Sequence, residues 1–244
     1  MGQIAYSANT NEVVEAFSVT DEEWAGLCLS PRGTLLMPRS AWPAVPKTSP
    51  RGLRFFAHYP GYTGVLPKPE SYAHTRLKID VVKAARELGY QAELEVAGTD
   101  PNGAEWEADV LVTLPDGRRT AFEIQLSSQH LRDFRFRTER YRRSSVECCW
   151  IISNQPVDAR ISKALAYENM DFYRTHGEFQ ADAEDLMLLG VQLADKDTYP
   201  EERPFFRFSR GKEMRCMPML EAIQGILNGI PQWRRPRWHW GSSL

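Results

Sequence analysis

Two runs of alternating side chains joined by a tight turn set the firmest limit on how this chain folds. They read Trp106-Glu107-Ala108-Asp109-Val110-Leu111-Val112 and Ala121-Phe122-Glu123-Ile124-Gln125-Leu126-Ser127, with Leu114-Pro115-Asp116-Gly117-Arg118 between them. Pro presets φ for a turn and Gly supplies the positive φ that closes it. A three-residue loop of Pro115, Asp116 and Gly117 sets Leu114 against Arg118, and counting back sets Asp109 against Glu123. Directly opposed residues share one sheet face about 5 Å apart. Period-two alternation then places Gln125 beside Glu123, with Phe122, Ile124 and Leu126 on the other face. A carboxylate inside an apolar strand is costly unless it is paired or binds a metal. Two that face each other repel without a cation, which points to a hard divalent ion.

The rest of the chain frames this hairpin. With 244 residues and a net charge of −2, there is no global pull toward a polyanion, so any nucleic-acid contact must come from local patches. No apolar run has the length of a membrane helix, and the first residues lack a basic-then-apolar leader, so the expected location is cytoplasmic with no membrane partner. Cys28, Cys148, Cys149 and Cys216 lack the spacing of a zinc ribbon or finger. Cys148 and Cys149 sit in a strand-like apolar run and read as buried thiols.

Three segments are expected: an N-terminal extension over 1–66, a core over 67–155, and a helical region over 156–244 ending in a basic-aromatic tail. In the first, Thr20 or Asp21 is positioned to cap a helix over Glu22–Leu27. In the core, Pro69 to Leu88 reads as a helix ended by Gly89, with Ala73, Leu77, Val81, Ala84 and Leu88 as its apolar stripe. Glu70 shares that azimuth, and His74 and Lys78 follow along its edge. An acid at the start of a buried face implies that the helix ends over a polar site. Tyr90 to Val96 alternates as a half-buried strand. A second helix is expected from Ser128 to Arg143, capped by Ser127 or Ser128, with Leu131, Phe134, Thr138 and Tyr141 inward. Six arginines and two acids lie between Arg132 and Arg143. Val146 to Ser153 is a further strand. Later helices are expected at Ala159–Ala166, Asp182–Leu189 and Met219–Leu227.

The order helix, three strands, helix, strand, with an Asp on one strand and Glu123-Ile124-Gln125 on the next, resembles the PD-(D/E)xK nuclease superfamily. More narrowly, Phe56-Ala57-His58, Glu70-Ser71 with His74 and Lys78, Ala108-Asp109-Val110, Glu123-Ile124-Gln125-Leu126-Ser127, and Arg140-Tyr141 before Trp150-Ile151 resemble the CoiA-like competence protein family. The resemblance covers roughly residues 54–153. It implies an α/β (α+β) fold with a restriction-endonuclease-like core, a mixed β-sheet with flanking helices. It also implies a metal-dependent nuclease acting on DNA with Mg²⁺ or Mn²⁺. Asp109, Glu123, the Ile124 carbonyl and Glu70 are then the metal set. Glu70, Asp109, Glu123 and Gln125 are the catalytic set, and His74, Lys78, Arg132, Arg135 and Arg140 contact phosphate.

Two departures matter. Family members often carry an N-terminal zinc module of paired cysteines, whereas this chain has only Cys28 there, so a degenerate module without zinc is expected. Gln125 stands where the superfamily has Lys; it can orient a water but adds no charge, and Lys78 is a candidate for supplying it. A second reading stays open: a nucleic-acid-binding or partner-binding module on the same fold, catalytically weak or inactive. Under either reading a homodimer or a protein partner through the C-terminal region is an expected contact. Alone, Asp109 or Glu123 fits an antiparallel sheet with one solvated face.

Overall fold

The computed structural model describes residues 2–66, 69–179, 186–210, 213–234 and 237–241. Contacts divide the chain into two units, Met1–Ser71 and Tyr72–Leu244. The first holds β1 (Ile4–Ser7), β2 (Val13–Glu15), α1 (Asp21–Leu29), β3 (Leu35–Leu36), β4 (Ala44–Thr48) and β5 (Arg54–His58). Thr20 caps α1 in a reciprocal box with Glu23, which satisfies two orphan backbone donors. Strands order as β2-β1-β3, with β4 and β5 a separate hairpin. Ala5, Ala16, Trp24, Leu35, Met37, Ala44 and Phe56 form a core of its own, so this segment is a small folded unit.

The second unit is built on a seven-stranded sheet. It comprises α2 (Tyr72–Glu87), β6 (Gln91–Thr99), β7 (Glu105–Thr113), β8 (Arg119–Gln125), α3 (Leu131–Arg143), β9 (Val146–Ser153), α4 (Ala159–His176), β10 (Met187–Val191), β11 (Phe206–Arg210), β12 (Glu213–Met217), α5 (Met219–Leu227), β13 (Pro231–Arg234) and β14 (Arg237–Trp240). The order is β12-β11-β10-β9-β8-β7-β6. β8, β9 and β10 run parallel, linked through α3 and α4, and the other neighbours are antiparallel. This is the expected α+β class, a large mixed sheet flanked by helices. The Phe134 ring of α3 packs tilted against Trp150 of β9, in a cluster with Ile152, Val157, Ile161, Leu165, Leu186 and Leu188.

Several element boundaries correct the expectations. The first core helix begins at Tyr72, so Pro69 and Glu70 precede it. α3 begins at Leu131 behind His130, which makes no side-chain cap bond. Ser127 is otherwise engaged, its carbonyl and hydroxyl accepting from Gln125 Nε2 at 2.7 and 2.9 Å. The helix expected at Asp182–Leu189 is not formed where the structure describes it. Residues 180–185 lie outside the described set, and Met187–Val191 is a strand. Leu188, Leu189 and Val191 are buried, and a short apolar run reads equally as strand or buried helix. β10, β11 and β12 therefore extend the sheet.

The hairpin register is the one the turn specifies. Leu114 N–H donates to the Arg118 carbonyl at 2.8 Å, and Val110 pairs with Phe122, which aligns Asp109 with Glu123. On the other side Leu94 pairs with Val110 and Val96 with Ala108, which aligns Glu95 with Asp109. Glu95 has φ +54°, a left-handed backbone rare outside glycine. Ala108 and Leu111 pack in one cluster with Trp106, Ala121 and Tyr141.

Farther along this pair of strands, Gly98 pairs with Trp106, and a Cβ at Gly98 would lie 2.1 Å from Trp106 Cζ2. The indole is fixed by a 2.8 Å bond from its N–H to Ser144 Oγ. Gly98→Ala is expected to cost about 1–3 kcal/mol in urea unfolding; a loss below about 0.5 kcal/mol would show that the indole yields without strain.

Candidate active site

The site forms where β7 parts from β8. The recorded ladder between them ends at Val110 and Phe122, and the next N–H, that of Ile124, donates to Asp109 Oδ2 at 2.8 Å. Asp109 thus stands in for a backbone acceptor and is tied to the opposite strand. His74 on α2 reaches the same spot: its Nε2 donates to the Ile124 carbonyl at 3.1 Å and lies 3.5 Å from Asp109 Oδ2. Glu70 stands two residues ahead of α2. One ligand atom each from Glu70, His74 and Asp109 lie within 4.8 Å of one another, a spacing that one ion can bridge. Two carboxylates and an imidazole suit a divalent cation.

Glu123 has different company. Its side chain is fully buried; Arg137 Nη2 contacts one oxygen and the Tyr141 hydroxyl the other. The Arg137 guanidinium also stacks 4.7 Å from the Trp150 ring centroid. The Tyr141 hydroxyl lies 2.7 Å from the Glu107 carbonyl oxygen as well. The hydroxyl is thus shared between the Glu123 carboxyl and the Glu107 carbonyl, both within its reach.

Burial, and then the charge of Asp109, push the Glu123 carboxyl up to about 8, against the opposing pull of Arg137, Tyr141 and His74. Burial also acts to raise Asp109. There it is outweighed by the His74 hydrogen bond, the charges of His74 and Lys78, and the Ile124 N–H, which together hold Asp109 down at about 2. The two facing carboxyls are driven apart, one ionised and one holding a proton. Tyr141 is raised, first by burial and then by Glu123. Cys148 is raised well above its ordinary value, again chiefly by burial, and Cys149 is buried.

The structure brings together Glu70, His74, Asp109 and the Ile124 carbonyl. It sets Glu123 alongside through the register but engages both its oxygens with α3. Gln125 is buried, its amide nitrogen held by Ser127. Lys78, expected at the rim, is fully buried instead and pairs with Glu95 Oε1 at 3.1 Å. Among the α3 arginines, Arg132 is 83% exposed, Arg135 pairs with Glu168, and Arg140 donates to the Glu105 carbonyl at 2.8 Å. Arg137 and Glu95 are members that the sequence reading missed, and Tyr141, read as inward, had been given no role in the site. A signal for Arg137 existed: it lies one helical turn before Tyr141, which was placed inward, so both share a face. In the tail, Trp240 is buried against Phe208 at 5.3 Å.

Residues 70–192, half of the chain, match the family model described as Competence protein CoiA, nuclease-like domain. The chain belongs to this family. The matched span of this CoiA-like protein opens on Glu70 and closes just after β10, so it contains every residue of the site above. No curated protein matches the chain. A crystal structure described as Protein of Unknown Function AF1548 aligns with a TM-score of 0.31 and 13% identity, over 48% of this chain and 57% of that one.

The proton on Glu123 has a measurable consequence. A carboxyl whose folded value is raised contributes stability below its unfolded value, near 4.5, and loses it as pH rises through about 8. Glu123→Gln mimics the protonated acid. In metal-free protein, urea unfolding at pH 5 should give similar stability for both forms. At pH 9 the variant should be more stable by a few kcal/mol; parallel profiles from pH 5 to 9 would contradict the protonated state.

Proposed function

We propose that this protein is a divalent-metal-dependent nuclease that hydrolyses DNA phosphodiester bonds. The observation that carries the reading is the convergence of Glu70, His74 and Asp109 at the strand junction that also holds Glu123-Ile124-Gln125. The nuclease-like family membership supports it. Glu70, His74 and Asp109 would hold Mg²⁺ or Mn²⁺, with the Ile124 carbonyl adjacent and Glu123 as a further carboxylate once released from Arg137. When bound, the ion supplies charge neutralisation at the scissile phosphate and a more acidic water.

The chain's own residues do the rest. Asp109 stays ionised at neutral pH, as a ligand must. Gln125, its nitrogen fixed by Ser127, orients the attacking water through its amide oxygen. Arg137, 34% exposed, is the cation placed to meet a phosphate as Glu123 leaves it. Arg132, largely in solvent, extends that basic edge along the duplex or strand backbone. Lys78 is too deeply buried for that task. No group of the site reads base edges, so selection by structure or strandedness is expected, in DNA processing, recombination or defence.

One observation favours a second reading. Both Glu123 oxygens are engaged by Arg137 and Tyr141, an arrangement that also suits a nucleic-acid-binding module in which turnover is weak or lost. Labelled single-stranded, duplex and branched DNA with Mg²⁺ or Mn²⁺ separates the two. The nuclease reading expects metal-dependent cutting that falls at least about a hundredfold in Asp109→Ala and in Glu123→Ala. Binding without cutting on every substrate, unchanged by either substitution, would establish the module.

A further inference from the structure

A fully buried lysine is an expensive placement, and the geometry around Lys78 indicates what it accomplishes. Lys78 lies one helical turn beyond His74 on α2, and its charge acts on Asp109. Its Nζ is 3.1 Å from Glu95 Oε1. The pairs on either side, Leu94 with Val110 and Val96 with Ala108, bracket Glu95 on β6 against Asp109 on β7, and Glu123 on β8 directly follows the last β7–β8 pair, Val110 with Phe122. Glu95 holds its place there with φ +54°, in a backbone conformation that disfavours a residue with a Cβ. A buried charge and a strained backbone converge on one contact beside the carboxylate that anchors the site. Neither is needed to pack α2 on the sheet, which an apolar side chain at 78 would do at lower cost.

We propose that Glu95 is a positioning residue of this site: it engages the Lys78 ammonium that would otherwise neutralise Asp109, and so sets the affinity of the carboxylates for a divalent cation. The inference rests on the metal reading above and adds two residues to it. Coulomb's law fixes the signs. Near the cation's place Lys78 repels and Glu95 attracts, and in low-dielectric surroundings both effects are strong. With Glu95 neutralised, the Lys78 charge falls on Asp109 and cation affinity drops. With Lys78 neutralised, the extra negative charge raises it. Removal of both returns the site close to its starting charge. A pair that served only packing would lower affinity in both single variants, and Glu95 acting as a direct ligand would leave the double variant weak.

The test is Mn²⁺ binding by the full chain, titrated by calorimetry and by the loss of free-ion EPR signal, in wild type, Glu95→Gln, Lys78→Met and the double variant. Metal-free thermal unfolding checks that each is folded. The expected result is roughly tenfold weaker binding in Glu95→Gln, severalfold tighter binding in Lys78→Met, and a double variant within about twofold of wild type. If Lys78→Met does not fold, Glu95→Gln and the double variant still decide: a double variant as weak as Glu95→Gln overturns the proposal. Single variants that shift in the same direction, or not at all, overturn it while the metal reading stands. No Mn²⁺ binding by wild type or any variant would remove the metal reading, and this inference with it.

Discussion

The bond from the Ile124 N–H to the Asp109 carboxylate is the contact on which the functional part of this fold turns. In an antiparallel ladder that donor belongs to a backbone carbonyl of the facing strand. Here a side chain takes it, so β7 and β8 separate without leaving a buried amide unpaired. β7 continues with β6 and β8 with β9. The fork between them admits His74 to the Ile124 carbonyl from α2 and leaves Glu123 to Arg137 and Tyr141 from α3. Asp109 is thus a structural acceptor and a candidate ligand at once, and its low proton affinity follows from the donors that make it the first.

That dual use explains how the cations are distributed. Two acids flank Asp109, Glu95 on β6 and Glu123 on β8. Each is met by a basic side chain from a different helix, Lys78 from α2 and Arg137 from α3. Stacked carboxylates across adjacent strands would repel, and here each outer one has its own partner. The pairing leaves Asp109, with Glu70 near it, as the carboxylates facing His74.

The hairpin at the centre of this arrangement was legible from the chain because its information is local. Pro115 and Gly117 set the loop, the loop sets the register, and the register aligns Asp109 with Glu123. The apolar stripe of α2 was legible for the same reason: Ala73, Leu77, Val81 and Ala84 recur at helical spacing and are buried. What was not legible depends on partners far apart in sequence. Lys78 reads as a rim residue by azimuth, and only the bend at Glu95, seventeen positions away, supplies the carboxylate that lets it be buried. Nothing in the alternation of Gln91 to Val96 announces a positive φ at Glu95. Likewise the apolar run at β10 has no period that distinguishes a strand from a buried helix, and its identity comes from pairing with β9.

Glu123 shows why a site of this kind need not collapse under its own charge. Its carboxyl is buried beside an ionised Asp109, and full ionisation of both would place two like charges in a poor solvent for either. A proton on Glu123 relieves that repulsion, in a carboxyl whose oxygens already accept from the Tyr141 hydroxyl and from Arg137. A divalent cation does the same electrostatic work with twice the charge, so proton and metal are alternatives at this carboxylate. The same burial that makes Glu123 hold a proton near neutral pH also strengthens its attraction to any cation that replaces it. Arg137 alone does not suffice, because its guanidinium is partly exposed and screened while the carboxylate is not. The repulsion between the two carboxyls is thus relieved by a proton on Glu123, and a cation carrying more charge than one arginine would relieve it further.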